Sequence, residues 1–381
     1  MDPVTHFLTG ACIGRAGLNR KTACATVTAV LASEAADLDM LWAFKGPVEA
    51  LKHHRGITHT FLGAPFVALV TVGAVGLVYG WSEWRRRRRS GESARLKEHE
   101  PDSIFASPPS RRQLVHWVWL YLTALIAALS HILLDWATTY GVRPFFPFNP
   151  RWYEGSFVFI VEPVLWVIFL VALVVPALLG LTDREIGARR VKFRGRGWAI
   201  FALSAMAVLF GWRWSEHARG LSLLGENQIT TVPVSRMALE PYPVNPFRWH
   251  AILETTDFYQ TAEINTHTGE IDSEPQTDRM VKPADTPAVE AAKRTLLGRV
   301  YQDWGGWAVM RDVGQVRAPG IDPPRLPSGQ TWTTIEFIDL RFDYSFRGAG
   351  SPPEPPPLSG WVYIIDNRDD GGESMDGHEQ K

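Results

Sequence analysis

The residues best able to do chemistry are histidines and acids that stand inside or beside apolar sequence. They fall into four clusters: Thr5-His6, Glu34-Ala-Ala-Asp37-Leu-Asp39, His53-His54-Arg55-Gly56-Ile57-Thr58-His59, and His131-Ile-Leu-Leu-Asp135. An ionisable group at membrane depth is costly, so it normally faces the interior of a helix bundle or a water-filled cavity. Neutral imidazoles and carboxylates, without cysteine, are ligands that suit Zn²⁺, Mn²⁺ or Fe²⁺. The clusters therefore predict a metal site.

The predicted ligands outnumber the positions around one tetrahedral metal. They are His6, Asp37, Asp39, His54, His59, His131 and Asp135. Two metals, or one metal with supporting carboxylates, would use such a set; zinc is the metal we expect, with manganese or iron as alternatives. A divalent metal lowers the pKa of a bound water towards about 7, which favours hydrolysis. Whether His53 or His54 is the ligand stays open.

Three further residues are candidates for catalytic roles. Arg55 stands between predicted ligands and would hold an anionic substrate such as a phosphate, with an ion pair to Asp37 or Asp39 as the alternative. Glu34 and Glu162 are candidates for a general base or a supporting carboxylate. Glu162 is five residues into an apolar stretch, so an acid that reaches the membrane interface is its alternative role.

Four apolar stretches are candidates for the elements that position these residues. They are 57–81, 114–136, 157–181 and 197–212. Spanning a bilayer takes about 20 apolar residues, which the first three meet and the fourth nearly meets. Residues 4–14 and 22–38 predict two short helices joined by a basic turn. The expected fold is mainly α: a polytopic transmembrane helical bundle of four spans plus a short N-terminal helical hairpin, followed by a soluble α+β domain.

The distribution of Lys and Arg predicts the orientation. Loops 82–113 and 182–196 are strongly basic, whereas residues 138–156 hold only Arg143 and Arg151. Basic loops stay in the cytoplasm, so residues 138–156 and everything after residue 214 are expected to be periplasmic. This orientation brings all four clusters to the outer membrane surface.

Two of the clusters share the spacing T-H-x-x-x-G. The first match runs from Thr5 to Gly10 and the second from Thr58 to Gly63. In each, the threonine is predicted to cap a helix and place the histidine in its first turn. The glycine one turn later would let another helix approach closely.

The remainder of the chain divides into two parts after a membrane domain of residues 1–214. Residues 215–347 predict a small α+β domain. Its expected elements are strands at 256–264, 270–272 and 332–346, and a helix at 287–301 capped by Thr286. Residues 348–381 predict a Pro-rich linker, a short strand at 361–365 and a disordered acidic tail.

Composition excludes several classes of protein. Residues 1–220 hold 25 Lys and Arg against 16 Asp and Glu, and the remaining residues hold 14 against 24. This balance gives no global basic field, so we expect no nucleic-acid partner. The two cysteines, Cys12 and Cys24, exclude a disulfide scaffold and a cysteine-built zinc site.

The clusters resemble the motifs of the YdjM-like family, which includes inner-membrane proteins of the LexA-regulated type. The matching residues, in order, are Asp2-x-x-Thr5-His6, Asp37-Leu-Asp39, His54-Arg-Gly-Ile-Thr-His59, His131-x-x-x-Asp135, Thr138 and Gly141. The resemblance covers roughly residues 1–180. Family members commonly have proline where this chain has Ala36. The resemblance implies a multi-pass inner-membrane protein with metal-dependent hydrolase activity and no particular substrate.

These observations favour a membrane-bound metal-dependent hydrolase that acts at the outer face of the bacterial inner membrane. The expected partners are membrane lipids and a small-molecule or lipid substrate, with a phosphoester or lipid-linked compound favoured by Arg55. A non-enzymatic metal-binding protein, such as a sensor or transporter component, is the alternative. A transporter needs polar residues throughout the membrane depth, whereas here they gather at one end, which favours the enzyme.

Overall fold

The computed structural model describes residues 1–96, 114–185, 195–274, 277–344, 355–366 and 375–378. The described chain forms two compact units. The first comprises Met1–Leu38, Arg55–Tyr153 and Ile160–Leu209, and the second comprises Asp39–His54, Glu154–Phe159 and Phe210–Lys381. Most of the predicted basic loops at 82–113 and 182–196, and much of the Pro-rich linker and tail, lie outside the described residues.

The N-terminal hairpin of the first unit consists of helices α1 (Pro3–Arg15) and α2 (Ala25–Glu34). Asp2 caps α1 by accepting a hydrogen bond from the Thr5 backbone N–H, and Pro3 occupies the first helical position. The sequence placed the end of the second helix at residue 38, but α2 ends at Glu34. A 3-10 helix, Ala35–Lys45, follows it directly.

Among the described residues, four helices are long and apolar enough to cross a membrane. They are α4 (Gly63–Leu96), α5 (Trp117–Trp136), α6 (Pro163–Glu185) and α7 (Arg196–Glu226). The predicted class, a helical membrane bundle with a C-terminal sheet-containing domain, is confirmed. Two helix starts lie six residues later than the sequence-based bounds. A short 3-10 helix, Ile57–His59, precedes α4, and α6 starts at Pro163, so Glu162 lies just before its helix and not within it.

The helices of the first unit pack through small side chains. The core at the contact of α1, α2, α4 and α5 consists of Ile13, Ala29, Ala32, Ala68, Val72, Val75, Leu120, Ala124 and Ala127. Alanines let helix backbones approach closely, which is the usual way membrane helices gain packing contacts. Gly10 is tighter still, because a Cβ there would lie 2.3 Å from Ser33 Oγ on α2. Close packing thereby fixes α2 against α1 and α5.

The second unit contains the short helix α3 (Pro47–His53) and two antiparallel sheets. The first sheet contains β1 (Arg236–Pro241), β2 (Arg248–Glu254), β3 (Phe258–Asn265), β4 (Glu270–Asp272) and β5 (Arg279–Val281). The second contains β6 (Ala308–Asp312), β7 (Thr331–Asp339), β8 (Gly360–Asp366) and β9 (Met375–His378). Ile252, Trp307, Val309, Ile338 and Leu340 form one buried core cluster here.

Three predictions for this unit need correction. The strand predicted at 332–346 ends at Asp339, where a 3-10 helix, Leu340–Phe342, begins. The helix predicted at 287–301 is two helices, α8 (Pro287–Arg294) and α9 (Leu296–Trp304), because Thr295 stops the first and caps the second through the Gly298 N–H. The predicted cap Thr286 is confirmed, since its hydroxyl accepts from the Val289 N–H. The tail predicted to be disordered contains β9, which pairs with the free edge of β8.

Candidate metal centre

Four of the predicted ligands converge in the first unit: Asp37, His59, His131 and Asp135. One nitrogen or oxygen atom from each lies within 4.8 Å of the others. His131 and Asp135 are one helical turn apart on α5 and therefore point from the same face. His59 comes from the 3-10 helix before α4, and Asp37 from the 3-10 helix after α2. The last three residues of the group are fully buried, and Asp37 is partly exposed.

The two imidazoles of the group direct the same nitrogen towards each other. The Nε2 atoms of His59 and His131 are 3.0 Å apart, and His59 Nε2 lies 3.1 Å from Asp37 Oδ1. His131 Nδ1 lies 2.6 Å from the backbone oxygen of Ser33. A carbonyl only accepts hydrogen bonds, so this Nδ1 carries the proton and the neutral ring has its lone pair on Nε2. Histidines that bind metals are commonly oriented in this way.

His6 belongs to the same cluster although it comes from α1. Its ring stacks on His131, with centroids 3.8 Å apart, and its Nε2 lies 3.3 Å from Asp135 Oδ1. Both His6 nitrogens and Asp135 Oδ2 are buried and make no hydrogen bond to the described residues. Buried polar atoms left in this state are costly, and a divalent cation would satisfy them. The donor set of imidazole and carboxylate therefore fits a metal ion.

The Arg55 side chain is buried and bonded to other protein groups, and it does not lie on a surface that faces a substrate. Its guanidinium donates to Asp135 Oδ1 at 2.8 Å and to the Gly141 oxygen at 2.7 Å, and it stacks on Tyr140. The side chain is 4% exposed. The ion-pair alternative is thus favoured, with Asp135 as a partner that the sequence analysis did not name. Asp135 takes that place because α5 turns this carboxylate inward; the Met1 amino group contacts it as well.

The other two predicted ligands, Asp39 and His54, lie in the second unit. His54 Nδ1 is 3.1 Å from Asp39 Oδ1. The neighbouring His53 is engaged elsewhere: it lies 3.2 Å from Glu49 and stacks on Trp42. Of the two histidines that the sequence left open, His54 is therefore the one that meets a predicted ligand.

The two glutamates differ in their surroundings. Glu34 ends α2, and burial together with the nearby Asp37 carboxylate raises the pKa of its carboxyl to about 7. Glu162 is fully buried, and its carboxylate lies 3.4 Å from the Val164 backbone nitrogen at the start of α6. An acid reaching out to the membrane interface, the alternative that the sequence left open for Glu162, does not match this position.

The T-H-x-x-x-G pattern has a different meaning from the predicted one. Asp2 caps α1, and Thr60 accepts from the Gly63 N–H at the start of α4, so neither Thr5 nor Thr58 is the cap. The two histidines of the pattern, His6 and His59, nevertheless lie in the same cluster. No sequence pattern indicates the Ser33 carbonyl that orients His131, because a backbone oxygen is independent of residue type.

Comparison with known proteins places these residues within a family. The family model of the YdjM inner membrane protein matches residues 1–220. The chain belongs to this family. The YdjM match includes the whole histidine and acid cluster, and the residues after 220 lie beyond it. Together with the four apolar helices, membership identifies the chain as a membrane protein.

One curated relative is the uncharacterized protein YfhP of Bacillus subtilis (strain 168). It is 23% identical over 183 residues, which cover 46% of this chain and 46% of the relative. The chain therefore spans about half the length of that relative. No solved structure matches the chain.

Proposed function

We propose that this YdjM family member is a membrane-bound metal-dependent hydrolase acting at the outer face of the inner membrane on a phosphoester or lipid-linked substrate. The observation that carries the proposal is the pair of Nε2 atoms 3.0 Å apart, of which the His131 nitrogen has its lone pair fixed by the Ser33 carbonyl. Two imidazoles in that arrangement beside two carboxylates form a ligand set for a divalent cation, zinc being our first choice.

The residues of the chain take distinct roles in this proposal. In the first unit, His6, Asp37, His59, His131 and Asp135 would hold the metal, while Asp39 and His54 of the second unit stay ligands predicted from the motifs alone. Arg55 keeps the Asp135 carboxylate in place through its paired donors. A divalent metal held by these residues would supply Lewis-acid chemistry and a water of lowered pKa. Glu34 would take the proton that the attacking water loses, since its pKa near 7 suits a general base at neutral pH.

Metal analysis and a hydrolysis screen test the proposal together. The purified protein should retain a stoichiometric divalent metal, and His131→Ala should lower metal affinity by at least about 10- to 100-fold. His116→Ala is the matched control, because this histidine is an exposed residue at the opposite end of α5. A metal-loaded protein that cleaves no phosphoester or lipid ester would favour the non-enzymatic alternative. A protein without metal affinity would contradict both.

A further inference from the structure

A run of apolar side chains in the second unit lies exposed beside two predicted ligands. Met40, Leu41, Trp42 and Phe44 follow Asp39 on the 3-10 helix Ala35–Lys45. Phe44 is 90% exposed and Leu41 58% exposed among the described residues. An uninterrupted apolar run of this kind is unusual on a surface that faces water, so it indicates a partner of apolar character.

The chemistry of the run favours a lipid bilayer as that partner. The Lys45 ammonium lies 4.3 Å from the centre of the Trp42 ring. Tryptophan together with lysine is typical of the membrane–water interface, where the ring lies among headgroups and the ammonium reaches water. Because the chain is a membrane protein, a bilayer surface is available to this run.

The length of the helix decides how it meets the membrane. A 3-10 helix rises about 2.0 Å per residue, so the 11 residues of Ala35–Lys45 extend about 22 Å. A hydrocarbon core of about 30 Å cannot be crossed by such a segment. It therefore lies along the interface and does not span it. By the same rise, Phe44 is about 10 Å along the helix from Asp39.

We propose that Met40–Phe44 is an interfacial anchor that holds the adjoining predicted ligand Asp39 at headgroup depth and thereby favours lipid-borne substrates. The substrate class is an amphiphile whose cleavable ester or phosphoester lies at the membrane surface while its acyl chains stay in the bilayer. This inference rests on the proposed function for its substrate and on the exposed run for its anchor.

A fluorescent label tests the anchor independently of activity. Phe44→Cys, in a chain with Cys12→Ala and Cys24→Ala, is labelled with nitrobenzoxadiazole and reconstituted in phosphatidylcholine–phosphatidylglycerol vesicles. Val281→Cys is the control, since Val281 is 72% exposed on β5 of the C-terminal sheet. A lipid carrying a nitroxide near its headgroup should quench the Phe44 label several-fold more than the Val281 label. Equal quenching of both labels by aqueous iodide, without lipid quenching, would overturn the anchor.

A pair of substrates tests the presentation of lipids. Leu41→Ser with Phe44→Ser should lower the ratio of lipid-phosphoester hydrolysis to hydrolysis of a water-soluble aryl phosphoester by several-fold. An unchanged ratio would overturn the presentation role. If the wild-type protein hydrolyses neither compound, the proposed function fails, while the label experiment still decides the anchor.

Discussion

The Asp135 carboxylate is the residue on which the histidine cluster depends most. Its two oxygens lie within 3.5 Å of His6, His59 and His131, and one of them accepts from Arg55. A buried carboxylate of this kind is stable only with cationic or hydrogen-bonding partners. Each substitution around it therefore changes both the electrostatic balance and the positions of the candidate ligands.

Arg55→Ala should destabilise the protein even when no metal is bound. The change leaves Asp135 buried without its guanidinium partner, and loss of one member of a buried pair costs about 3–5 kcal/mol. The stability of Arg55→Lys should lie between those of the wild type and Arg55→Ala, because an ammonium cannot reproduce the paired donation to Asp135 and Gly141. Thermal unfolding in detergent with excess chelator measures the effect.

The exposed Arg151 provides the control for that experiment, because Arg151→Ala should unfold at the same temperature as the wild type. An Arg55→Ala protein of full stability but greatly reduced hydrolysis of anionic substrates would instead support the anion-binding role first predicted for this residue.

His54→Ala should weaken metal binding about 10- to 100-fold, whereas His53→Ala should leave it unchanged. The reason is their different partners: His54 meets the predicted ligand Asp39, and His53 meets Glu49 and Trp42. Titration of the apo-protein with zinc, followed by calorimetry, compares the two. Equal losses would show that the adjacent histidines act as one group, and a loss confined to His53→Ala would reverse the assignment.

At the scale of elements, the close contact of α1 and α2 sets the position of His131. Gly10→Ala should destabilise the protein by about 1–3 kcal/mol, because the new methyl group would lie 2.3 Å from Ser33 Oγ and 2.8 Å from the Ala29 oxygen. Gly73→Ala is the control, since a methyl group added there would have no neighbouring atom within 4 Å. Melting temperature and metal content should both fall for Gly10→Ala, because Ser33 also holds the His131 ring.

A Gly10→Ala protein with normal stability and metal content would mean that α1 and α2 adjust without moving Ser33. In that event the orientation of His131 would have to depend on α5 alone.

The sequence predicted the location of the helices more accurately than the residues at which they begin and end. Continuous apolar composition located all four long helices, because burial in a membrane leaves a strong compositional signal. It could not locate the starts at Gly63 and Pro163, since the preceding 3-10 helix and the buried Glu162 are also part of apolar sequence. The break at Thr295 was missed for a related reason: a threonine cap inside a helical pattern is decided by tertiary packing.

The site was predictable to the extent that it depends on residue type. Spacing placed His131 and Asp135 on one helix face, and orientation brought His6 and His59 towards them. The partner of Arg55 was not predictable, because three carboxylates were within reach of the motif and only the rotation of α5 selects Asp135. Contacts to backbone oxygens, such as that of Arg55 with the Gly141 oxygen, cannot be predicted from residue types.

At the scale of the whole molecule, the distribution of basic residues predicts a periplasmic C-terminal domain. Alkaline phosphatase fused after Trp214 should be active, and a green fluorescent protein at the same point should be dark, because only exported phosphatase folds. The same reporters inserted within residues 97–113 should give the opposite result. Activity of the phosphatase in that loop, together with an inactive fusion after Trp214, would invert the topology and move the proposed site to the cytoplasmic face.

The burial of the candidate ligands also governs how quickly a metal is exchanged. His59, His131 and Asp135 have no contact with solvent, and Asp37, with a side chain 20% exposed, is the open side of the group. A bound ion would therefore leave past Asp37 or after local opening of the surrounding helices, and the second route is slow compared with diffusion. At equilibrium copper and zinc outcompete manganese and iron for such donors, whereas slow exchange would retain whichever ion is abundant while the protein folds. Any metal found in a purified sample would accordingly reflect the growth medium as well as the preference of the ligands, and expression under a defined metal supply separates the two.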